Sequence, residues 1–172
     1  NVAIGPQALE DLRGASSLVA IGSLAMQNTH SADNSVAIGS MALQDGTDYS
    51  YVVAVGTQAL KDLTTGSYNT GMGHGVGAVI TDQTRNSLFG YEAGSALKGS
   101  NNTGIGNQAL YYLGASDQTG SNNTGLGYRA GFVIDGGDQN TFVGYQSGQN
   151  MTTGGANVII GSYNGNSGGL DI

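Results

Sequence analysis

A parallel β-solenoid, all β and built from about ten short coils, is the fold this sequence predicts. Three observations carry the prediction. A glycine recurs at an almost constant interval. A strand-like alternation precedes each one. The composition is too poor in charge for an ordinary globular surface.

The glycines are Gly5, Gly22, Gly39, Gly56, Gly73, Gly90, Gly106, Gly127, Gly144 and Gly161, at intervals of 17, 17, 17, 17, 17, 16, 21, 17 and 17. Constant self-similarity at this scale is the signature of stacked structural repeats. One residue before each glycine stands Ile4, Ile21, Ile38, Val55, Met72, Phe89, Ile105, Leu126, Val143 or Ile160, all apolar. Three before it the residue is nearly always β-branched, from Val2, Val19, Val36 and Val53 to Thr103, Thr124, Thr141 and Val158. Between these two rows lies a mostly small residue, as in Ala3, Ala20, Ala37, Ala54, Gly71, Gly104 and Gly125. Alternation of this kind reads as a short strand. On this reading the large row, Ile38 included, fills the core, and the small row, Ala37 included, is a seam where another copy packs.

The glycine ends each strand at a sharp turn, where backbone angles closed to other residues are needed. Asn69, Asn86, Asn102, Asn123, Asn140 and Asn157 precede the strands and suit the opposite corner, since Asn tolerates left-handed conformations. After the glycine, Ala8, Ala25, Ala42, Ala59, Ala93, Ala109 and Ala130 recur, with apolar residues such as Leu60 and Leu63 four and seven positions on. That spacing fits one helical turn or an irregular return segment. A unit of 17 residues is too short to fold alone, because fixing each residue costs about 1–2 kcal/mol against few apolar side chains. Stacking such units solves this. Ten coils at the ~4.8 Å strand spacing make a rod of roughly 45–50 Å. The array spans 1–172 without a second domain and reads as a fragment of a longer fibre.

Charged residues make up 10% of the chain, against roughly 25% in ordinary domains, and the net charge is −7. Five basic residues cannot form the patch that nucleic acid requires. There is no Cys, hence no disulfide framework. No apolar run reaches the ~18 residues of a membrane span, so membrane insertion is not expected.

The units Val19-Ala20-Ile21-Gly22 and Ser35-Val36-Ala37-Ile38-Gly39 resemble the head repeat of trimeric autotransporter adhesins of the YadA type. The later units, Asn102-Thr103-Gly104-Ile105-Gly106, Asn123-Thr124-Gly125-Leu126-Gly127-Tyr128-Arg129-Ala130-Gly131 and Asn140-Thr141-Phe142-Val143-Gly144-Tyr145-Gln146-Ser147-Gly148, are similar to repeats in phage tail fibres, particularly of marine phages. So is the closing run from Asn157 to Ile172. The 17-residue unit is longer than the usual adhesin-head unit, which favours the fibre. The resemblance implies a left-handed β-roll, a homotrimer, a place in the virion tail fibre, and a host cell-surface receptor as partner. The alternatives are the head of a bacterial adhesin at the cell surface and a polysaccharide-cleaving tailspike.

Candidate contact residues follow from the register. Tyr91, Tyr128 and Tyr145 each stand one after an anchor glycine and line up as an aromatic stripe, a surface on which a glycan stacks or a neighbouring coil packs. Between Gly106 and Gly127 the interval exceeds the repeat by four, so Gly114 to Gly120, with Ser116, Asp117 and Gln118, reads as a loop leaving the stack. Loops on regular scaffolds carry much of binding. Other motifs have plainer readings. The N-x-T triplets at Asn101, Asn122 and Asn150 arise mostly from the repeat itself. Asp135-Gly136-Gly137-Asp138 reads as a polar corner instead of a calcium loop, and His30 and His74 are too far apart in sequence and too few for a metal site. No cofactor or metal is expected. Nor is enzymatic activity, since no matched pair of carboxylates or nucleophile motif recurs.

Overall fold

The computed structural model describes residues 1–111, 120–151 and 153–162. The strands form a single sheet that runs the length of a β-solenoid of about nine turns. Ten strands are stacked in parallel, one per anchor glycine. They are β1 (Val2–Ile4), β2 (Ser16–Ile21), β3 (Ser31–Ile38), β5 (Val53–Val55), β6 (Thr70–Met72), β7 (Ser87–Phe89), β8 (Thr103–Ile105), β9 (Thr124–Leu126), β10 (Thr141–Val143) and β11 (Val158–Ile160). A further short strand, β4 (Asp48–Ser50), pairs with the start of β3. The register is the one the glycine alignment dictates: Val19 pairs with Val36, Ala37 with Ala54 and Phe142 with Ile159. It holds across the long interval, where Thr103 pairs with Thr124 and Gly104 with Gly125. The extra residues therefore leave the strand stack unshifted.

The return segments are turns. Their backbone alternates in hand, with positive φ two and four residues after the glycine, as at Gln58 (58°) and Leu60 (49°). Each return segment bonds to the next coil, Leu43 N–H to Ala59 O at 3.1 Å and Leu60 N–H to Val76 O at 2.9 Å. The hydrogen-bond ladder thus continues around the coil beyond the strands, and the open choice between helical turn and irregular return resolves to the latter. The anchor glycines meet the expectation for a tight turn. Gly22 has φ 133°, and a Cβ there would lie 2.5 Å from the carbonyl oxygen of Gly39 on the next coil. Only glycine allows both that angle and that approach.

The facing of the strands is the reverse of the sequence expectation. The small row points inward: Ala20, Ala37 and Ala54 are fully buried, as are Leu88 and Phe142 in the same register. The large row points out, with Ile38 38% and Ile105 44% exposed. Ala37 is therefore core, not seam, and Ile38 is surface, not core. The reason is the thinness of the coil. One strand faces one return segment, and there is room for one large side chain per pair. Ala20 faces Met26, Ala37 faces Leu43 and Ala54 faces Leu60, and all are buried in one core.

Further along the rod the sizes trade places. Leu88 fills the space over Gly94, where a Cβ would sit 2.8 Å from its methyl carbons. Gly104 is matched by Leu110, and Phe142 lies against Gly148. Where both positions are glycine, neighbouring coils reach in: Leu60 and Leu88 over Gly77, Leu110 and Phe142 over Gly131. Close packing of this kind is what makes an interior sensitive to single methyl groups.

The corner before each strand is held by side chains. Asn69, Asn86, Asn102, Asn123 and Asn140 are buried. Each offers Oδ1 to the backbone N–H of the Asn on the next coil, from Asn69 to Asn86 at 2.9 Å through Asn123 to Asn140 at 2.8 Å. Each Nδ2 donates to a corner carbonyl, as Asn123 does to Gly137 O at 2.8 Å. The left-handed position is the residue before, at Tyr68, Arg85, Asn101, Asn122 and Gln139. The asparagines stand there for their amides, not for the backbone angle expected of them.

Candidate functional site

Stacking coils in exact register turns any aromatic residue at a repeat position into a ring above a ring. Tyr91, Tyr128 and Tyr145 share the position after the anchor glycine and are all exposed, at 47%, 36% and 61%. The row holds two stacked pairs. His74 and Tyr91 lie with ring centroids 5.5 Å apart and planes within 11°. Tyr128 and Tyr145 lie 5.3 Å apart and within 16°. Between the pairs, on the intervening coil, the position belongs to the exposed Asn107.

Polar side chains run beside this row at the next position. Gln108 Nε2 donates to Glu92 Oε2 at 2.9 Å, and Arg129 Nε donates to Gln108 Oε1 at 2.8 Å. The Arg129 guanidinium also lies 5.2 Å from the centre of Tyr128 and 4.8 Å from that of Phe132, within range of cation–π attraction. The hydrogen bond from Tyr91 to Glu92, with the negative charge of that carboxylate, holds the Tyr91 phenol above its ordinary pKa.

A second aromatic row lies at the corner before the strand, where sequence reasoning did not look. Tyr51 and Tyr68 are each 54% exposed and stack at 5.2 Å with planes 4° apart, and Arg85 caps Tyr68 at 5.7 Å. The signal was available, since Tyr51 and Tyr68 are 17 residues apart, as their neighbours in the repeat are. Ser116, Asp117 and Gln118 lie outside the described residues. His74 is an exposed corner residue, but one committed to a ring stack. Asp138 accepts the Ser121 N–H through Oδ1 at 2.7 Å, so it braces a corner between coils.

The two aromatic rows flank, in the repeat register, an outward strand face that carries exposed apolar residues. Its members are the outward strand residues Val2, Ile4, Ile38, Met72, Ile105, Val158 and Ile160, each between 38% and 76% exposed, with partly exposed Val19, Ile21, Val36, Val53, Val55, Phe89, Leu126 and Val143 between them. No charged residue stands in either outward row of these strands. No family profile, curated protein or solved structure matches the chain. Among the described residues, no helix is long and apolar enough to cross a membrane.

Proposed function

We propose that this chain is a structural and receptor-binding segment of a trimeric phage tail fibre, which carries the virion to its host. The observation that carries the reading is the outward row before the anchor glycines, apolar on every coil from Ile4 to Ile160, flanked by a second outward row that is Val on five coils and Ser or Thr on the other five. Contiguous exposed apolar surface on this scale marks an interaction site. A partner for it must offer a matching apolar row at the strand spacing over about nine turns. A second copy of the same repeat does so by lying alongside, and three copies about an axis parallel to the rod close the surface. Three is the number that the likeness to fibre repeats implies. The remaining surface is rich in Asn, Ser, Thr and Gln and poor in charge, which suits a fibre whose contacts are made by hydrogen bonding and ring stacking.

The seam therefore runs along Ile38 and Ile105, and its test is direct. Ile38→Asp combined with Ile105→Asp is expected to leave the circular dichroism of the coil intact and to convert a trimer into single chains in sedimentation equilibrium. An unmutated protein that sediments as one chain sinks the assembly, as does a double variant that stays trimeric. Attachment is tested separately, by adsorption of the fluorescently labelled segment to a panel of marine bacterial strains. Adsorption to none of them counts against the receptor-binding part.

A further inference from the structure

The aromatic row after the anchor glycines is a ladder with one ring missing. His74 and Tyr91 form its lower part and Tyr128 and Tyr145 its upper part, and each ring-to-ring step is 5.3–5.5 Å. Tyr91, Asn107 and Tyr128 stand two residues past the ends of three consecutive paired strands, β7, β8 and β9. Tyr91 and Tyr128 are thus two strand spacings apart, about 10 Å. That is the length of two ring-stacking contacts of about 5 Å each. Among the described residues, no ring stacks on the side of Tyr91 turned from His74. The floor of the gap is Asn107, short and exposed. Along one wall run Glu92, Gln108 and Arg129, joined by hydrogen bonds across the same three coils.

The geometry points to a binding site for one pyranose ring of a surface glycan, seated over Asn107 between Tyr91 and Tyr128. This rests on the receptor-binding reading above and names its ligand class. A sugar ring offers C–H groups on its faces, which the electron-rich faces of tyrosine attract, and hydroxyls around its rim. The site matches both. Aromatic faces bound it along the rod, while the Asn107 amide, the Glu92 carboxylate and the Arg129 guanidinium offer donors and acceptors at its edge. A flat apolar ligand would find the faces but would leave that polar wall unused, and burying polar groups without partners is unfavourable.

The chain has nine Tyr and no Trp, so tyrosine emission is free of tryptophan, and the difference between the unmutated protein and Tyr91→Ala or Tyr128→Ala isolates the row. The probe is an array of bacterial lipopolysaccharide O-chains and capsular oligosaccharides, with hits followed by tyrosine fluorescence and saturation-transfer NMR. Asn107→Tyr fills the gap with the protein's own ring. It is expected to abolish binding while leaving the melting temperature unchanged or raised. Tyr91→Ala and Tyr128→Ala are each expected to weaken binding roughly tenfold, the loss of one stacking face with its buried area. Tyr51→Ala, on the other row, is expected to leave affinity within about twofold.

If an array hit survives Asn107→Tyr, the site is refuted and glycan attachment elsewhere on the rod stands. If the segment adsorbs to cells and binds nothing on the array, the carbohydrate class is refuted while the attachment reading stands. A gap that takes up a flat aromatic dye but no sugar refutes the ligand class as well. Failure of both adsorption and array binding removes the attachment reading and the site with it.

Discussion

The coils up to Gly56 and those from Gly73 onward share one repeat but distribute its difficulties differently. In the first region the core is uniform: on the Gly22, Gly39 and Gly56 coils a buried strand alanine is paired with a large return-segment residue, Met26, Leu43 or Leu60. The corner there alternates. Asn1 and Ser35 offer side-chain oxygens, to Leu18 N–H at 2.9 Å and Val52 N–H at 3.0 Å, while Leu18 and Val52 themselves add to the core. Strands β2 and β3 lengthen to six and eight residues, running through the corner. In the second region the corner is uniform, with Asn on every coil, and the strands are three residues long. There the core alternates, Leu88 against Gly94, Gly104 against Leu110, Phe142 against Gly148. A solenoid of this width thus tolerates irregularity in its apolar filling or in its corner bonding. Each half of this one keeps the other feature constant.

The comparison breaks most sharply at the asparagine ladder. Asn123→Leu leaves the Asn140 N–H and the Gly137 carbonyl without partners in a fully buried corner. Each orphaned group costs about 1–3 kcal/mol, so the expected loss for the two is roughly 2–6 kcal/mol. Ser35→Ala in the first region removes the acceptor of Val52 N–H and a donor to Asp33 O, but Asp33 O keeps the Tyr51 N–H, so one group is orphaned and the expected cost is about 1–3 kcal/mol. Urea denaturation of the two variants measures the difference. Equal midpoints would show that the amide ladder is no stronger a tie than the mixed corner.

The alternating core gives a smaller effect. Gly148 has φ 60°, and a Cβ there would run into the Phe142 ring. Gly148→Ala is expected to cost about 1–3 kcal/mol through overpacking and the left-handed angle. Adding Phe142→Leu should recover part of it, since the collision is with the ring. At Gly104 the angle is ordinary and the nearest neighbour, a methyl of Leu88, is 3.2 Å away, so Gly104→Ala should cost less. Thermal melts in that order check the argument. A Gly148→Ala loss that Phe142→Leu does not relieve would assign the effect to backbone angle alone.

The repeat, the strand register and the turn glycines were all legible, because a period of 17 fixes which residues stack whatever the coil does between them. The facing of the strand was not. Ile38 and Ala37 follow the rule that large apolar residues go inside only if the coil is wide enough, and width depends on the return segment. Leu43 and Leu60 were visible as its apolar residues, yet nothing in their spacing says that they, and not the strand isoleucines, fill the centre. The asparagine row was recognised but its use was not, since a ladder of amides exists only once the coils are stacked. The tyrosine row was legible as a stripe. Its division into two pairs around Asn107 needed the register, which the glycine alignment already contains.

The last prediction turns on Tyr49, the one plug peculiar to the first region. Its ring is buried, it fills the space beside Gly46, and its hydroxyl lies 3.0 Å from Thr29 Oγ1. Burial pushes its pKa up to about 12, from an ordinary 10.0, while the Thr29 bond pulls in the other direction. An acid whose folded pKa is raised stabilises the fold through its neutral form. That contribution is whole below the unfolded value near 10 and is lost as pH rises through the folded value near 12. Raising the pH from 10 to 12 should therefore weaken the first region before the second, whose corner amides do not titrate. Phenolate absorbance should show a late-ionising contribution from Tyr49, and Tyr49→Phe should remove that contribution. The substitution itself should cost only about 1 kcal/mol at neutral pH, the value of one buried hydrogen bond. Hydrogen exchange resolved by residue would locate the loss. If amides around Asn123 and Asn140 open at the same pH as those around Tyr49, the two regions melt as one unit, and the division between them is one of construction only.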